Sequence, residues 1–184
     1  GYGFCTDFGL QQYYRDIRIS SLYEGTTGIQ SQDLLGRKVT MQNGKALKLL
    51  AAEIMQTIKL ASKDDNLKDY AVVLGEKLQL SNKVLDYLMP FAAKGNYERY
   101  LADANLFMEY MSIVVLGWLW LEMAVDANTE LNNSDSKYSK TFYESKIHTM
   151  KFYFKYEIPK TNSLAESLMS NEVVTIKKDK EFII

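Results

Sequence analysis

One carboxylate, Glu24, stands directly before Gly25, Thr26, Thr27 and Gly28 in the stretch SLYEGTTGIQ, residues 21–30. Glycine opens backbone conformations that other residues avoid, and Gly and Thr are poor helix formers, so this is loop chemistry rather than helix surface. A carboxylate on such a loop, once desolvated and aimed, is suited to removing a weakly acidic proton. Other reactive groups are sparse. Cys5 is the one cysteine and His148 the one histidine, which excludes an intrachain disulfide and leaves a Cys/His zinc site without ligands. His148 reads as a packing or surface residue and Cys5 as an ordinary thiol. Asp64, Asp65, Asp126 and Glu130 fall at loop or helix ends, without the Glu-x-x-His spacing of a di-iron helical bundle, so no metal is expected.

The loop belongs to a longer pattern. It comprises Gly1-Tyr2-Gly3-Phe4, then Tyr14-Arg15-Asp16-Ile17-Arg18-Ile19, then Leu22-Tyr23-Glu24-Gly25-Thr26-Thr27-Gly28-Ile29-Gln30, and finally Asp33-Leu34-Leu35-Gly36-Arg37-Lys38. The run Arg-Asp-x-Arg-Ile-x-x-Leu-Tyr-Glu-Gly-Thr-x-x-Ile-Gln, residues 15–30, resembles the acyl-CoA dehydrogenase family. The resemblance implies that Glu24 is the base that takes the α-proton of an acyl-CoA thioester while a hydride leaves for FAD. It implies that Gly25 keeps the backbone clear for substrate, that Thr26, Thr27 and Gly28 contact FAD, and that Gly1 ends a glycine-rich flavin-contacting loop. Gly9, where the family often carries Pro, and Ser31, where a basic residue is frequent, depart from the pattern without touching the base.

The same resemblance implies an electron-transfer flavoprotein as oxidant, a homo-oligomer as working form and a role in fatty-acid metabolism. The segment from Asp33 to Lys38, followed by a long helical region, looks like the subgroup with an appended domain of the acetyl-CoA dehydrogenase C-terminal-like type. A chain that begins here would hold the base without most of the flavin and CoA pocket and would be inactive alone.

The elements that must position Glu24 are helices. Pro90 and Pro159 are the only prolines, and apolar residues recur at helical spacing along most of the chain, so the fold class is all-α. A helix from Leu10 to Ile19, the Glu24 loop, and a helix from Ile29 to Thr40 ended by Asn43-Gly44 form a helix-loop-helix over residues 1–44. Arg15, Asp16 and Arg18 are expected to form ion pairs that steady the first of these helices. Thr26 and Thr27 are also placed to cap the second helix, which is compatible with contact to an anionic ligand.

Residues 45–184 read as an up-down-up-down four-helix bundle with a short tail. Its first segment carries Leu47, Ala51, Ile54, Ile58 and Ala61 on one face, and its second runs from Leu67 to Ala92, kinked by Pro90. A third runs from Tyr97 to Leu131. A fourth runs from Lys137 to Ser170, bent by Pro159. The tail, residues 173–184, alternates like a strand or hangs loose. Without its family context the bundle reads instead as a noncatalytic helical module for oligomerisation or partner binding.

Composition limits the partners. Lys and Arg total 22 against 23 Asp and Glu, a net charge of -1 that offers no electrostatic basis for nucleic acid or an anionic membrane. The most apolar run, Ile113 to Leu121, is far shorter than the ~20 residues that span a bilayer and reads as a buried helix, so no integral membrane segment is expected. The opening Gly-Tyr-Gly-Phe has neither a charged n-region nor an apolar stretch, so the sequence reads as a piece of a longer protein without an export signal. A reducing cytoplasm is the expected setting.

Overall fold

A computed structural model describes residues 1–176, and the chain over that range is all-helical. The expected tail falls mostly on residues 177–184, outside the described residues; Val174 and Thr175 form a turn. The helices are α1 (Leu10–Arg18), α2 (Thr27–Asp33), α3 (Met41–Ala61), α4 (Lys68–Ala93), α5 (Tyr97–Leu101), α6 (Ala104–Leu131), α7 (Lys140–Tyr156) and α8 (Lys160–Leu168). A π-helical turn, Leu34–Lys38, prolongs α2. That helix starts two residues before the expected Ile29, because Thr26 is extended (φ -67°, ψ 164°) and lets Thr27 open the first turn.

Helix ends follow local chemistry. Gln42, Asn43 and Gly44 all lie in the left-handed region (φ 50°, 56° and 74°), and they interrupt the start of α3 where Asn43-Gly44 was expected to end a helix. Helix α4 continues through Pro90 to Ala93. Gly95 then takes φ 77°. Its N–H donates to Ala92 O at 2.9 Å and that of Asn96 to Phe91 O at 2.9 Å, the paired bonds of a Schellman motif.

Two expected helices are each divided. The segment from Tyr97 to Leu131 breaks at Ala102 and Asp103 into α5 and α6. Helix α5 is drawn aside by its own bonds: Asn96 Oδ1 accepts from the Arg99 N–H at 3.1 Å, and the Tyr100 hydroxyl donates to Leu35 O at 2.6 Å. The segment from Lys137 to Ser170 is separated into α7 and α8, not merely bent. Proline lacks the N–H and crowds the preceding turn, so Pro159 sits at the N-cap of α8, the one end of a helix where it costs little.

Helix α6 occupies the centre and packs against α2, α3, α4, α7 and α8. Phe107, Tyr110, Val114 and Leu121 on it are fully buried. Side-chain bonds register its neighbours: Trp118 Nε1 donates to Thr57 Oγ1 at 2.8 Å, the Tyr110 hydroxyl to Lys77 O at 2.6 Å, and the Tyr153 hydroxyl to Ile113 O at 3.2 Å. Asn128 Nδ2 donates to Asp64. Burial pushes the Tyr110 phenol up and, with the nearby Glu157, pushes Tyr153 up to about 12, so both remain neutral donors. By length and composition α6 is apolar enough to cross a bilayer, and it is the one such helix among the described residues. Here ten of its residues are buried, Gly117 among them.

The N-terminal part is held unevenly. Leu35 and Val39 join the same core as the long helices, so α2 and the π turn are docked. Helix α1 has no buried residue, and Tyr13, Tyr14 and Ile17 on it are exposed. Its expected ion pairs are not formed: among the described residues, no salt bridge involves Arg15, Asp16 or Arg18. Arg18 instead donates to Ser21 Oγ at 2.6 Å, because the 3-10 turn Ile19–Ser21 brings that hydroxyl within reach.

Candidate functional site

Glu24 and Gly25 form a left-handed corner between the 3-10 turn and α2, with φ 59° and 116°. For glycine this is ordinary; for Glu24 it is a conformation that costs about 1–2 kcal/mol and persists only when neighbours impose it. The neighbour is Gln30, whose Nε2 donates to Glu24 O at 2.6 Å. At Gly25 a Cβ would sit 3.1 Å from Ile29 Cγ2, so the close return of α2 and the positive φ both call for glycine.

The rest of α2 is tied to the core in series. Ser31 is 1% exposed, and its single hydroxyl proton has two acceptors in reach, Asn105 Oδ1 at 2.5 Å and Gly28 O at 2.9 Å. Asn105 lies at the start of α6, so this contact joins the loop-bearing helix to the central one. One turn on, Arg37 donates to Asp33 through Nε at 2.5 Å and Nη2 at 2.8 Å. That hydrogen bond holds the Asp33 carboxyl below its usual range. The Tyr100–Leu35 bond then fixes the π turn to α5. Glu24 is therefore borne on a corner whose support runs through Gln30 and Ser31 to the middle of the fold.

Thr26 and Thr27 are exposed at the mouth of α2, and Thr26 makes no side-chain capping bond although it stands at the N-cap. The hydroxyls and the first-turn N–H groups thus remain available to a ligand. Neither Gly28 nor Gly1 has an atom within 4 Å of a notional Cβ, so both face open space. The donor set and the free space fit contact with a flavin cofactor. Glu24 itself is exposed to solvent. His148 and Cys5 are exposed, and no group of three or more His, Cys, Asp or Glu among the described residues could hold a metal.

Glu24 and Gly25 through Gly28 are contiguous in sequence and remain together in space. Gln30 and Asn105 escaped the sequence reading. Gln30 carried a signal, its place six residues beyond Glu24 where one helical turn folds back. Asn105 carried none, since its partner Ser31 is 74 residues away.

The profile of the family described as "Acetyl-CoA dehydrogenase C-terminal like" matches residues 50–177. The chain is 29% identical over 186 aligned positions to a broad-specificity linear acyl-CoA dehydrogenase of Mycobacterium tuberculosis, covering 96% of this chain and 30% of that protein. It is 28% identical to a butyryl-CoA dehydrogenase of Syntrophomonas wolfei, covering 100% of this chain and 30% of that protein. With a 3-methylmercaptopropionyl-CoA dehydrogenase of Ruegeria pomeroyi it shares 34% identity over 81% of this chain and 25% of that protein. The chain thus spans under a third of the length of these curated relatives.

Proposed function

From the premise that the chain belongs to the acyl-CoA dehydrogenase family, through its acetyl-CoA dehydrogenase C-terminal-like domain, we propose that it is the C-terminal part of a flavin-dependent enzyme that dehydrogenates an acyl-CoA thioester between Cα and Cβ. The observation that carries this reading is the left-handed Glu24–Gly25 corner, pinned by Gln30, with Glu24 exposed. In this reading Glu24 takes the α-proton at a carboxylate oxygen. Gln30 and Ser31 are positioning residues that keep the corner in place while the charge on Glu24 is neutralised. Gly25 admits the acyl chain close to the backbone. The Glu24 N–H stabilises the thioester oxygen as negative charge develops on it. Thr26, Thr27, Gly28 and Gly1 would hold FAD, which supplies the acceptor for the β-hydride.

Because Glu24 is exposed and the chain covers 30% of its relatives, the walls that desolvate the base belong to further protein, and the piece alone is inactive. The whole enzyme works as a homo-oligomer, passes electrons to an electron-transfer flavoprotein and resides in the cytoplasm. A second reading, a noncatalytic module for assembly, is favoured by the exposed apolar side chains of Leu10, Tyr13, Tyr14 and Ile17. An exposed apolar face of this kind suits contact with more protein.

The test uses the full-length enzyme with Glu24→Gln. Flavin binding should be retained, and the rate of flavin reduction by acyl-CoA should fall by about 10²–10⁴-fold, the usual worth of a positioned general base. An undiminished rate with flavin bound would remove Glu24 from the chemistry.

A further inference from the structure

A second polar site lies between α4, α5 and the segment after α8. Arg99 is 8% exposed, and its Nη1 is buried without a hydrogen-bond partner. Its Nη2 donates to Ser170 O at 2.6 Å and, at 3.5 Å, reaches the Tyr87 hydroxyl. The guanidinium lies 4.9 Å from the Phe91 ring centroid and 5.8 Å from that of Tyr87. Aromatic faces favour a cation but carry no neutralising charge. Among the described residues, no acid is within ion-pair distance of Arg99. A buried guanidinium without a counter-charge is costly to maintain, which distinguishes this residue from the exposed basic side chains elsewhere.

The guanidinium borders a cavity of about 370 Å³ that Asn96 and Asn171 also line. Both carboxamide oxygens are already engaged: Asn96 Oδ1 accepts from the Arg99 N–H at 3.1 Å, and Asn171 Oδ1 accepts from the Tyr87 hydroxyl at 2.9 Å. What each amide has left is its NH2, a donor. The cavity therefore presents one unneutralised cation and two amide donors, with the exposed Glu98 as the one acid on its wall among the described residues. Glu98 makes no ion pair with Arg99 and would repel an anion lying near it, so an occupant seats on the asparagine side.

We propose that this cavity binds a small oxyanion, a carboxylate or a phosphate group, held by Arg99 with Asn96 and Asn171. A planar guanidinium offers parallel N–H groups to two oxygens of such a group. Nη1 is covered in this structure, so binding includes a small shift of the side chains over it. The site is independent of the role given to Glu24.

The test follows the Arg99 Nε–H and the Asn96 and Asn171 NH2 signals by NMR in the full chain. Inorganic phosphate and acetate are added separately against chloride at matched ionic strength. Saturable shifts of these three groups, with a Kd on the order of 1 mM or tighter, are expected. Response to phosphate alone, acetate alone or both identifies the source and supports the site. Arg99→Lys keeps the charge but loses the fork and should weaken binding at least about tenfold. If that variant does not fold, Asn171→Ala at an exposed position serves in its place, with a smaller loss. No saturable shift, equal shifts with chloride, or undiminished binding in both variants overturns the proposal. Shifts that appear only after Asp179→Asn with Glu181→Gln would assign the site to a carboxylate of the same chain and overturn it as a ligand site.

Discussion

Gly117 lies in the middle of α6 and is buried against the break between α7 and α8. A Cβ there would sit 2.6 Å from Ile158 Cδ1, 3.5 Å from Ile158 Cγ1 and 3.7 Å from Tyr153 Cε1. Carbon atoms in comfortable contact are about 3.5–4.0 Å apart, so Gly117→Ala creates one overlap of roughly 1 Å and leaves the other two contacts ordinary. Two effects then compete. Replacing an interior helical glycine by alanine stabilises by about 1 kcal/mol, while overpacking a core costs about 1–3 kcal/mol. Ile158 is 1% exposed, so its Cδ1 methyl can withdraw only by displacing its packed neighbours.

The net expectation for Gly117→Ala is a loss of about 0–2 kcal/mol, with the overlap outweighing the helix gain. Ile158→Val deletes the offending Cδ1 and alone should cost about 0.5–1.5 kcal/mol. In the double variant the overlap is gone, so the alanine gain is released and the two changes couple favourably by about 1 kcal/mol or more. Urea unfolding of the four chains measures this directly. If Gly117→Ala is stabilised by the full helix increment and the double variant is simply additive, the close approach of α6 to Ile158 is not what requires glycine.

Three further outcomes follow from the supports of the candidate site. Tyr100→Phe removes the donor to Leu35 O and should destabilise the chain by about 0.5–1.5 kcal/mol, with faster amide exchange in the π turn; unchanged stability and exchange would mean that the bond contributes nothing. Gln30→Leu frees Glu24 O and should speed amide exchange over residues 24–28 while global stability changes by about 1 kcal/mol or less; unaltered exchange there would show that the corner holds itself. Asp33, its carboxyl lowered from 3.8 by the hydrogen bond from Arg37, contributes stability that is present above that ordinary value and lost as pH falls through the lowered one. Arg37→Gln should therefore be less stable than the parent chain at neutral pH, and the difference should close in strong acid. A gap that is independent of pH would assign the loss to packing.

How far the fold was legible depended on whether the signal was local. Apolar spacing marked the long helices, and Asn43-Gly44 marked a left-handed interruption of the helical path, because such conformations depend on a few adjacent residues. The division at Ala102 and Asp103 was not legible, since it answers to Tyr100 reaching Leu35 across 65 positions of sequence. Pro159 signalled a disturbance, but that it separates two helices rather than bending one shows only in the structure, where it stands at the N-cap of α8 and Ile158 beside it is buried.

The candidate site divides in the same way. The residue string around Glu24 and its family resemblance were present in the sequence by itself, as were the all-helical class and the need for glycine beside the acid. The inward tether of α2 through Ser31 and Asn105, the exposure of Glu24, and the unneutralised Arg99 between two aromatic rings were decided by tertiary structure alone. The physical reason is range. Helix propensity, capping and turn chemistry act between neighbours in the chain, whereas desolvation and hydrogen-bond partnership depend on which distant groups the packed core brings together.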